Sequence, residues 1–345
     1  MKAIVLAAGV GSRLDPLTTQ IPKPMVPVAN TPVLEHILNL LKRHGISEVA
    51  LNLHYLPAQV SDYFGDGSRL GMSLHFELEE TLSGDAGGVR ALRQYLDDDT
   101  FLVLMGDLLT DADLGAVVAA HKRLGALATI ALKRVEDVSQ FGVALLDGRG
   151  LIKGFQEKPD PDQALSNLAS TGIYVFEPEI FQHIPASGVY GFGRQLFPSL
   201  VERGLPVGGA EIAQYWSDVG TIRQYRLSNF DALEGRVAVP LPGDRTQWGW
   251  LGAGSTVADS CRVEGLLMVG RGTRIAGRVR IRGRVIVGDN CFVDEDAELE
   301  DSVVWSEASV QRGASIKDSV IGRNCVVKNG SRHVAKATVA PKVLI

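Results

Sequence analysis

The sequence is poor in the features that mark secreted, membrane-spanning or nucleic-acid-binding proteins. It has 3 cysteines in 345 residues, too few for a disulfide framework and typical of a reducing compartment. No stretch approaches the roughly 18 consecutive apolar residues of a membrane helix, and the N-terminal apolar run is too short for a signal peptide. Cations are not in excess, because 35 Lys and Arg stand against 40 Asp and Glu. We therefore expect a cytoplasmic protein with no nucleic-acid and no membrane partner.

Apolar sequence is abundant enough for a large core. Hydrophobic residues make up 45% of the chain and charged residues 22%, which excludes general disorder. A length of 345 residues indicates two domains, at roughly 100–200 residues per domain.

The 7 histidines are scattered, with no spacing typical of a zinc site.

Residues 1–232 alternate short apolar runs with stretches of helical period, such as 32–44, where Thr31 precedes Pro32 as a candidate N-cap. This alternation predicts an α/β domain, Rossmann-like, with a mostly parallel sheet. Such sheets place ligands at the carboxyl ends of their strands. We therefore expect chemistry in the loops that follow Ala8 and Met105.

A different pattern begins at residue 251. Apolar residues recur every six positions, at Leu251, Val257, Val263, Val269, Ile275, Ile281, Val287, Val293 and Leu299, after a phase slip at Val304, Val310 and Ile316, and after a second slip at Ile321 and Val327. A period of six fits neither an α-helix nor an alternating hairpin, and it is typical of hexapeptide repeats. The pattern predicts a left-handed parallel β-helix over residues 251–345. Residues 233–250, which hold Pro240, Pro242 and Gly243, are the predicted linker.

The most informative loop follows the first predicted strand. It contains Gly9-Val10-Gly11-Ser12-Arg13, then Lys23 between two prolines, and 5 of the 15 prolines lie between positions 16 and 32. It is not a Walker A loop, and Leu14 stands where a dinucleotide fingerprint needs its third glycine. Two solvated surface cations would be the ordinary interpretation of Arg13 and Lys23. A stiff glycine-containing loop with a guanidinium and an ammonium instead favours polyphosphate binding.

These motifs resemble those of the sugar-1-phosphate nucleotidylyltransferases, or nucleotide-sugar pyrophosphorylases. The overall pattern is most similar to the two-domain mannose-1-phosphate guanylyltransferases. The segments that carry the resemblance are Gly9–Thr18 with Pro22–Pro24, Met105–Asp107, Phe155–Pro159, Gly172–Phe176 and Tyr215–Thr221.

The resemblance implies a role for each catalytic residue. Arg13 would hold the departing pyrophosphate, and Lys23 would neutralise the attacked α-phosphate. Asp107 and Asp218 would coordinate Mg²⁺, the cofactor that the family resemblance implies and that carboxylate oxygens suit. The nucleophile would be a phosphate oxygen of the sugar-1-phosphate. No protein base would then be needed, and catalysis would depend on positioning and charge neutralisation.

The resemblance also implies two binding sets. The nucleotide set is Leu6, Ala8, Gly9, Gly11, Ser12, Arg13, Lys23, Glu80, Gly84 and Asp85, and the sugar-phosphate set is Gly142, Glu157, Lys158, Ser170 and Thr171. Two positions depart from the family pattern. Asp85 stands where the family usually has a neutral hydroxyl, and Ser170 stands where it often has an asparagine.

The expected substrates are GTP and mannose-1-phosphate, which give GDP-mannose. The alternative within the class is glucose-1-phosphate with UTP or dTTP. An inactive regulatory or scaffold homologue is less favoured, because the charged residues Arg13, Lys23, Asp107, Lys158 and Asp218 are all present.

Every expected site residue lies upstream of position 233. We therefore expect the β-helix to be an assembly or regulatory module, through which the chain forms a homo-oligomer. Acyltransferase activity on the β-helix would require a catalytic base there. His333 is the sole histidine after position 251.

Overall fold

The computed structural model describes residues 1–96 and 99–338. Residues 339–345, the end of the predicted β-helix domain, lie outside the described part. The chain divides into two compact units, one of Met1–Val10 with Ile37–Asp218 and the other of Gly11–His36 with the chain from Val219 onward. The glycine-containing loop thus belongs to the unit that contains the second domain. The predicted limits 1–232, 233–250 and 251–345 stay a prediction.

Strands and helices alternate through the first 233 residues. The strands are β1 Ala3–Leu6, β2 Pro27–Val28, β3 Thr31–Pro32, β4 Glu48–Leu53, β5 Ser73–Leu78, β6 Phe101–Met105, β7 Leu108–Thr110, β8 Ala128–Arg134, β9 Gly142–Leu146, β10 Ile152–Glu157, β11 Leu168–Phe176, β12 Val207–Glu211 and β13 Trp216–Asp218. The helices are α1 Val33–Arg43, α2 Pro57–Phe64, α3 Asp85–Ala91, α4 Leu114–Leu124, α5 Phe197–Glu202 and α6 Ile222–Leu233. The predicted helix over 32–44 is observed as α1, and Thr31 and Pro32 form β3 instead of its cap.

The first unit is built on one large sheet with the strand order β10-β9-β11-β6-β1-β4-β5. Strands β6, β1, β4 and β5 pair in parallel, whereas β11 pairs antiparallel with β6, β8 and β9. The prediction of a Rossmann-like domain is confirmed. Its sheet is parallel through β6, β1, β4 and β5, and it gains antiparallel pairs beyond β6.

Burial on both faces explains the apolar sequence of the central strands. All four residues of β1 are buried, and Phe101 to Leu104 of β6 are at most 1% exposed. Strands of this kind have near-continuous apolar sequence because helices cover both faces of a parallel sheet. Because strand β6 is buried at the centre of the sheet, it holds the turn after Met105 in a fixed position.

The second unit contains stacked strands after α6, which pair in parallel from β15 onward, whereas β14 pairs antiparallel with β15. They are β14 Asp244–Thr246, β15 Gly249–Leu251, β16 Thr256–Val257, β17 Arg262–Val269, β18 Arg274–Ile275, β19 Arg280–Val287, β20 Phe292–Val293, β21 Glu298–Val304, β22 Ser309–Val310, β23 Ser315–Lys317, β24 Val320–Ile321, β25 Val326–Val327, β26 Arg332–Val334 and β27 Ala337–Thr338. Strands β14 and β15 occupy part of the predicted linker. The parallel stack is consistent with the predicted β-helix.

The register of these strands explains both the period of six and its slips. Strands β17 and β19 pair residues 18 apart, such as Val263 with Ile281. Strands β21 and β23 pair residues 17 apart, such as Leu299 with Ile316. One residue fewer per coil gives one five-residue step per turn, which is the observed slip. From Val269 to Val327 the periodic residues are at most 1% exposed, so they form the core of the stack.

The cysteines belong to this stack. Cys291 and Cys325 are buried and Cys261 is half-buried, and all three are outside any disulfide. Burial raises the pKa of the Cys291 thiol to about 12, which makes it unreactive at neutral pH.

Within residues 1–96 and 99–338, no helix combines the length and apolar character needed to cross a membrane.

Candidate active site

Two aspartates lie on neighbouring backbone segments at the end of strand β6. Asp107 follows the turn at Gly106, and Asp218 on β13 is the register partner of Leu108, the next residue after Asp107. The turn is tight, since the Gly106 amide donates to Leu6 O at 2.8 Å and a Cβ on Gly106 would lie 2.8 Å from that oxygen. The predicted metal aspartates are therefore on adjacent backbone segments of the first unit.

Strand β13 is held beside β7 by specific hydrogen bonds. The Thr110 hydroxyl donates to Tyr215 O at 2.6 Å, and the Tyr215 amide donates to Asp111 Oδ1 at 2.9 Å. The Trp216 indole donates to Thr171 O at 2.8 Å. Thr171 itself is 1% exposed and its hydroxyl donates to Ala131 O. Thr171, which was predicted to contact the sugar, thus supports β13 through the hydrogen bond from Trp216.

A buried polar relay supports the end of β1. The Ala7 amide donates to Asn52 Oδ1 at 2.8 Å, and Asn52 Nδ2 donates to Glu79 Oε1 at 2.5 Å. Glu79 Oε2 accepts from both the amide and the hydroxyl of Ser83. A Cβ on Gly88 would lie 2.5 Å from Asn52 Nδ2, so only glycine fits against this relay.

This relay was not predicted from the sequence. The residue predicted to bind the nucleotide in this segment was Glu80, which is exposed, whereas the neighbouring Glu79 is 7% exposed and hydrogen-bonded. A signal was present, because Asn52 interrupts an otherwise apolar strand and a buried polar group requires a partner. The sequence does not show which residue supplies that partner.

The predicted nucleotide segment is closed by the chain around residue 191. Asp85 Oδ1 accepts from the Phe192 amide at 2.5 Å and from the Ala86 amide at 2.8 Å. The Tyr190 amide donates to Ser83 O at 2.8 Å, and a Cβ on Gly84 would lie 2.5 Å from Tyr190 O. The carboxylate that departs from the family pattern therefore anchors a backbone segment.

Glu157 lies against positions that exclude side chains. A Cβ on Gly142 would lie 2.9 Å from Glu157 Oε2, and a Cβ on Gly193 would lie 2.7 Å from Glu157 Cδ. Burial raises the pKa of Glu157, and the charges of Lys158 and Arg194 oppose that shift. Lys158 has φ of 50°, in the left-handed region, and its amide donates to Phe141 O at 2.9 Å. Such conformations in non-glycine residues are concentrated at functional sites.

Tyr174 links these groups electrostatically. Its hydroxyl lies 3.3 Å from the Ser170 hydroxyl. Burial raises the pKa of Tyr174, and the negative charges of Asp85, Glu157 and Asp107 raise it further. Three predicted site carboxylates, Asp85, Glu157 and Asp107, are therefore near enough to Tyr174 to influence its pKa, and their negative charge would favour a bound cation.

The Asp85 carboxyl predicts a pH dependence of stability. Burial raises the pKa of Asp85 from 3.8 to about 6, so between these values the folded protein keeps a proton that the unfolded chain releases. Stability contributed by this group is therefore lost as pH rises from about 4 to 6. Asp85→Asn keeps an oxygen acceptor and is expected to raise Tm by about 2–4 °C at pH 8 and not at pH 4.

Calorimetric scans at both pH values test this expectation. Asp66→Asn is the matched control, because hydrogen bonds from Ser68 lower the pKa of Asp66 and its effect at pH 8 should have the opposite sign. Equal Tm values for wild type and Asp85→Asn at pH 8 would contradict the burial of this charge.

In the second unit, the glycine-containing loop is compact and anchored. The Thr18 hydroxyl donates to Gly11 O and lies 2.9 Å from Asp15 Oδ1. Gly11 has φ of 79°, and a Cβ there would lie 2.9 Å from Lys23 Cβ. Lys23 is half-buried, whereas Arg13 and Ser12 are exposed. The loop therefore presents both predicted cations from one folded segment.

The donor set at β6 fits Mg²⁺. No cluster of three or more His, Cys, Asp or Glu in the described part of the chain has the arrangement of a complete metal cage. Mg²⁺ is usually held by one or two carboxylates together with substrate phosphates and water. Asp107 and Asp218, on neighbouring segments, are two carboxylates of the kind that such a site would need.

Comparisons with known proteins identify the relatives of this chain. Residues 2–234 match the Nucleotidyl transferase family, and residues 263–345 match the GMPPB C-terminal domain. A UTP–glucose-1-phosphate uridylyltransferase of Synechocystis is 38% identical, over 96% of this chain and 90% of that protein. A mannose-1-phosphate guanylyltransferase of Mycobacterium tuberculosis is 35% identical, over 79% of this chain and 76% of that protein.

A solved structure is also similar. It is a protein of Bacillus anthracis, provisionally named a glucose-1-phosphate thymidylyltransferase, in complex with sucrose. It aligns with a TM-score of 0.61 and 26% identity, over 66% of this chain and 94% of that chain. The similarity is thus found in fold as well as in sequence. The chain belongs to the nucleotidyl transferase family, as a sugar-1-phosphate nucleotidyltransferase.

Proposed function

We propose that the chain joins an NTP to a sugar-1-phosphate at the end of strand β6. A phosphate oxygen of the sugar-1-phosphate attacks the α-phosphorus, the bond from that phosphorus to the β-phosphate oxygen breaks, and pyrophosphate leaves. The adjacency of Asp107 and Asp218 is the observation that carries this proposal. It supports a reaction driven by charge neutralisation and alignment, without a protein nucleophile.

Residues of the compact loop bind the phosphates in this proposal. Arg13 holds the leaving pyrophosphate and Lys23 the α-phosphate, while the amides from Gly9 to Ser12 supply hydrogen-bond donors. The exposure of Arg13 and the fixed stem of Lys23 support these roles. When bound, Mg²⁺ supplies positive charge to the phosphate oxygens, and Asp107 and Asp218 hold it.

The sugar phosphate is bound by residues around Glu157. Glu157 accepts hydrogen bonds from sugar hydroxyls, and Lys158 pairs with the phosphate. Gly142 leaves space for the sugar ring, since any side chain there would meet Glu157. Ser170 adds a hydroxyl, which lies 3.3 Å from the Tyr174 hydroxyl and can donate to or accept from a polar ligand.

The substrate pair that we propose first is UTP with glucose-1-phosphate. The uridylyltransferase of Synechocystis is similar over 96% of this chain, and this full-length similarity supports the pair. GTP with mannose-1-phosphate, the pair expected from the sequence, remains a second candidate. It is supported by the GMPPB C-terminal domain match and by the similarity to the mycobacterial guanylyltransferase.

A substrate panel tests the pair. Purified protein with Mg²⁺ is assayed for pyrophosphate release with UTP, GTP, dTTP, ATP and CTP against glucose-, mannose- and N-acetylglucosamine-1-phosphates. We expect kcat/KM to be highest for UTP with glucose-1-phosphate, and at least about tenfold lower when either partner is changed. A preference for GTP with mannose-1-phosphate would select the second candidate, and no turnover with any pair would favour a regulatory homologue.

We also propose that the protein is cytoplasmic and forms a homo-oligomer through residues 251–345. Apolar side chains at the start of the stack are only partly buried, namely Trp248, Leu251, Val257, Cys261 and Val263. Such a partly covered core at the end of a coil stack favours a second copy as its cover.

A further inference from the structure

Within the second unit, a chain of buried hydrogen bonds joins the stacked strands of the β-helix domain to the glycine-containing loop. That loop is called the phosphate loop below, because Arg13 and Lys23 bind phosphates in the proposed function. Trp305, at the end of β21, is 4% exposed and donates from Nε1 to the Tyr225 hydroxyl at 2.7 Å. Tyr225 on α6 is fully buried and donates from that hydroxyl to Pro27 O at 2.7 Å. One phenol therefore accepts from the second domain and donates to the loop.

Two further contacts hold the hairpin that ends the loop. Asn229 Oδ1 accepts from the Ala29 amide at 2.9 Å, and Asn30 Nδ2 donates to Val287 O at 3.0 Å. Ala29 and Asn30 have φ of 49° and 61°, a left-handed conformation that costs free energy in non-glycine residues. Since these two residues hold an unfavourable backbone conformation, the external hydrogen bonds help to stabilise the hairpin where it lies.

Helix α6, which lies between the stack and the loop, is itself fixed to the stack. Arg226 donates to Asp318 O and lies 3.2 Å from Asp318 Oδ1. The Arg284 guanidinium lies over the Phe230 ring, 4.6 Å from its centroid. Burial raises the pKa of the Tyr225 hydroxyl, so the phenol stays neutral and continues to donate.

The hairpin is hydrogen-bonded to the turn that contains Lys23. The Val26 amide donates to Lys23 O at 3.2 Å, and the Val33 amide donates to Val26 O at 3.1 Å. A shift of Pro27 therefore moves a single tight turn that carries the Lys23 stem. Buried hydrogen bonds are expensive to leave unmade, which makes the linkage stiff.

We propose that the β-helix positions the phosphate loop for catalysis, with Trp305, Tyr225 and Asn30 as positioning residues. This rests on the proposed function, in which Arg13 and Lys23 bind the triphosphate. The sequence indicated only an assembly or regulatory role for the second domain. The hydrogen-bond chain adds a direct contribution of this domain to the geometry of the phosphate site.

The test uses full-length Tyr225→Phe and Trp305→Phe. Both keep an aromatic ring and remove one hydrogen-bonding group. Tyr63→Phe, which alters a 43% exposed side chain, and Trp250→Phe, which alters the strand stack outside the chain of bonds, are the matched controls. We measure KM for the NTP and for the sugar-1-phosphate, kcat, Tm, and hydrogen exchange of peptides covering residues 11–30.

We expect Tyr225→Phe to raise the KM for the NTP about three- to tenfold, the size expected for one buried hydrogen bond. Trp305→Phe should have a smaller effect, because Tyr225 still donates to Pro27. Exchange over residues 11–30 should be faster in both variants and unchanged over 101–105. The double variant should match Tyr225→Phe alone, since the two groups act through one hydroxyl.

The outcomes separate positioning from general stability. A lower Tm with unchanged NTP KM and unchanged exchange over 11–30 would overturn the proposal, as would equal effects in the two control variants. If the wild-type protein transfers no nucleotide, the proposed function fails. Exchange over residues 11–30 then still reports whether the stack holds the loop.

Discussion

Asp107→Asn is expected to lower kcat by at least about a hundredfold in the presence of Mg²⁺. The substitution keeps size and shape but removes one negative charge at the end of β6, where the turn is fixed by the Gly106 amide. Loss of one preorganised electrostatic group commonly costs about 10²–10³ in kcat. The Mg²⁺ concentration needed for half-maximal rate should also rise, because only Asp218 would remain to hold the cation.

The matched control is Asp113→Asn. Asp113 caps α4 by accepting from the Ala116 amide at 3.0 Å, and asparagine is an equally good N-cap. The same chemical change six residues away should leave kcat and Tm close to wild type. Near-native turnover of Asp107→Asn at limiting Mg²⁺ would show that the cation is held elsewhere.

Asp218→Asn supplies an internal check on the same prediction. Asp218 is paired in register with Leu108, so it and Asp107 should act on one cation. Their effects should therefore be strongly non-additive, with the double variant little worse than either single one. Additive losses would indicate two separate roles for the carboxylates.

Lys23→Gln is expected to lower kcat/KM for the NTP by about 10²–10³, as for the loss of one electrostatic stabiliser. The stem of Lys23 lies against Gly11, where a Cβ would be 2.9 Å away, and its carbonyl accepts from Val26. A charge held this way needs little reorganisation when phosphate negative charge develops. Lys23→Arg should recover only part of the loss, because a planar guanidinium does not replace an ammonium in a tight loop.

Lys122→Gln is the control for charge removal alone. Lys122 is exposed in the last turn of α4, so its loss should leave kcat/KM nearly unchanged. Steady-state rates of pyrophosphate release over an NTP series measure both variants. A Lys23→Gln enzyme within about threefold of wild type would contradict the role of the ammonium, since single stabilisers are worth far more.

The sequence was informative wherever local pattern and chemistry coincide. Asp107 follows an apolar strand and a glycine, and the structure places it at the end of β6. The relay of Asn52 and Glu79 was not predicted, because Asn52 is in β4 and Glu79 directly follows β5, so the two pair only after the sheet forms. The choice between Glu79 and Glu80 depends on which side chain is buried, which alternation in a half-exposed strand does not determine.

The amino-acid sequence by itself determined the α/β domain, the six-residue period of the second domain and the family motifs. Each of these features depends on the spacing of residues that are close together in the sequence, because buried strands and coils of fixed length place apolar residues at regular intervals. Only the tertiary structure decided that Pro27, Tyr225 and Trp305 form one hydrogen-bond chain. These residues are far apart in sequence, and their polar groups become partners because burial on folding leaves each no other way to satisfy its hydrogen bond.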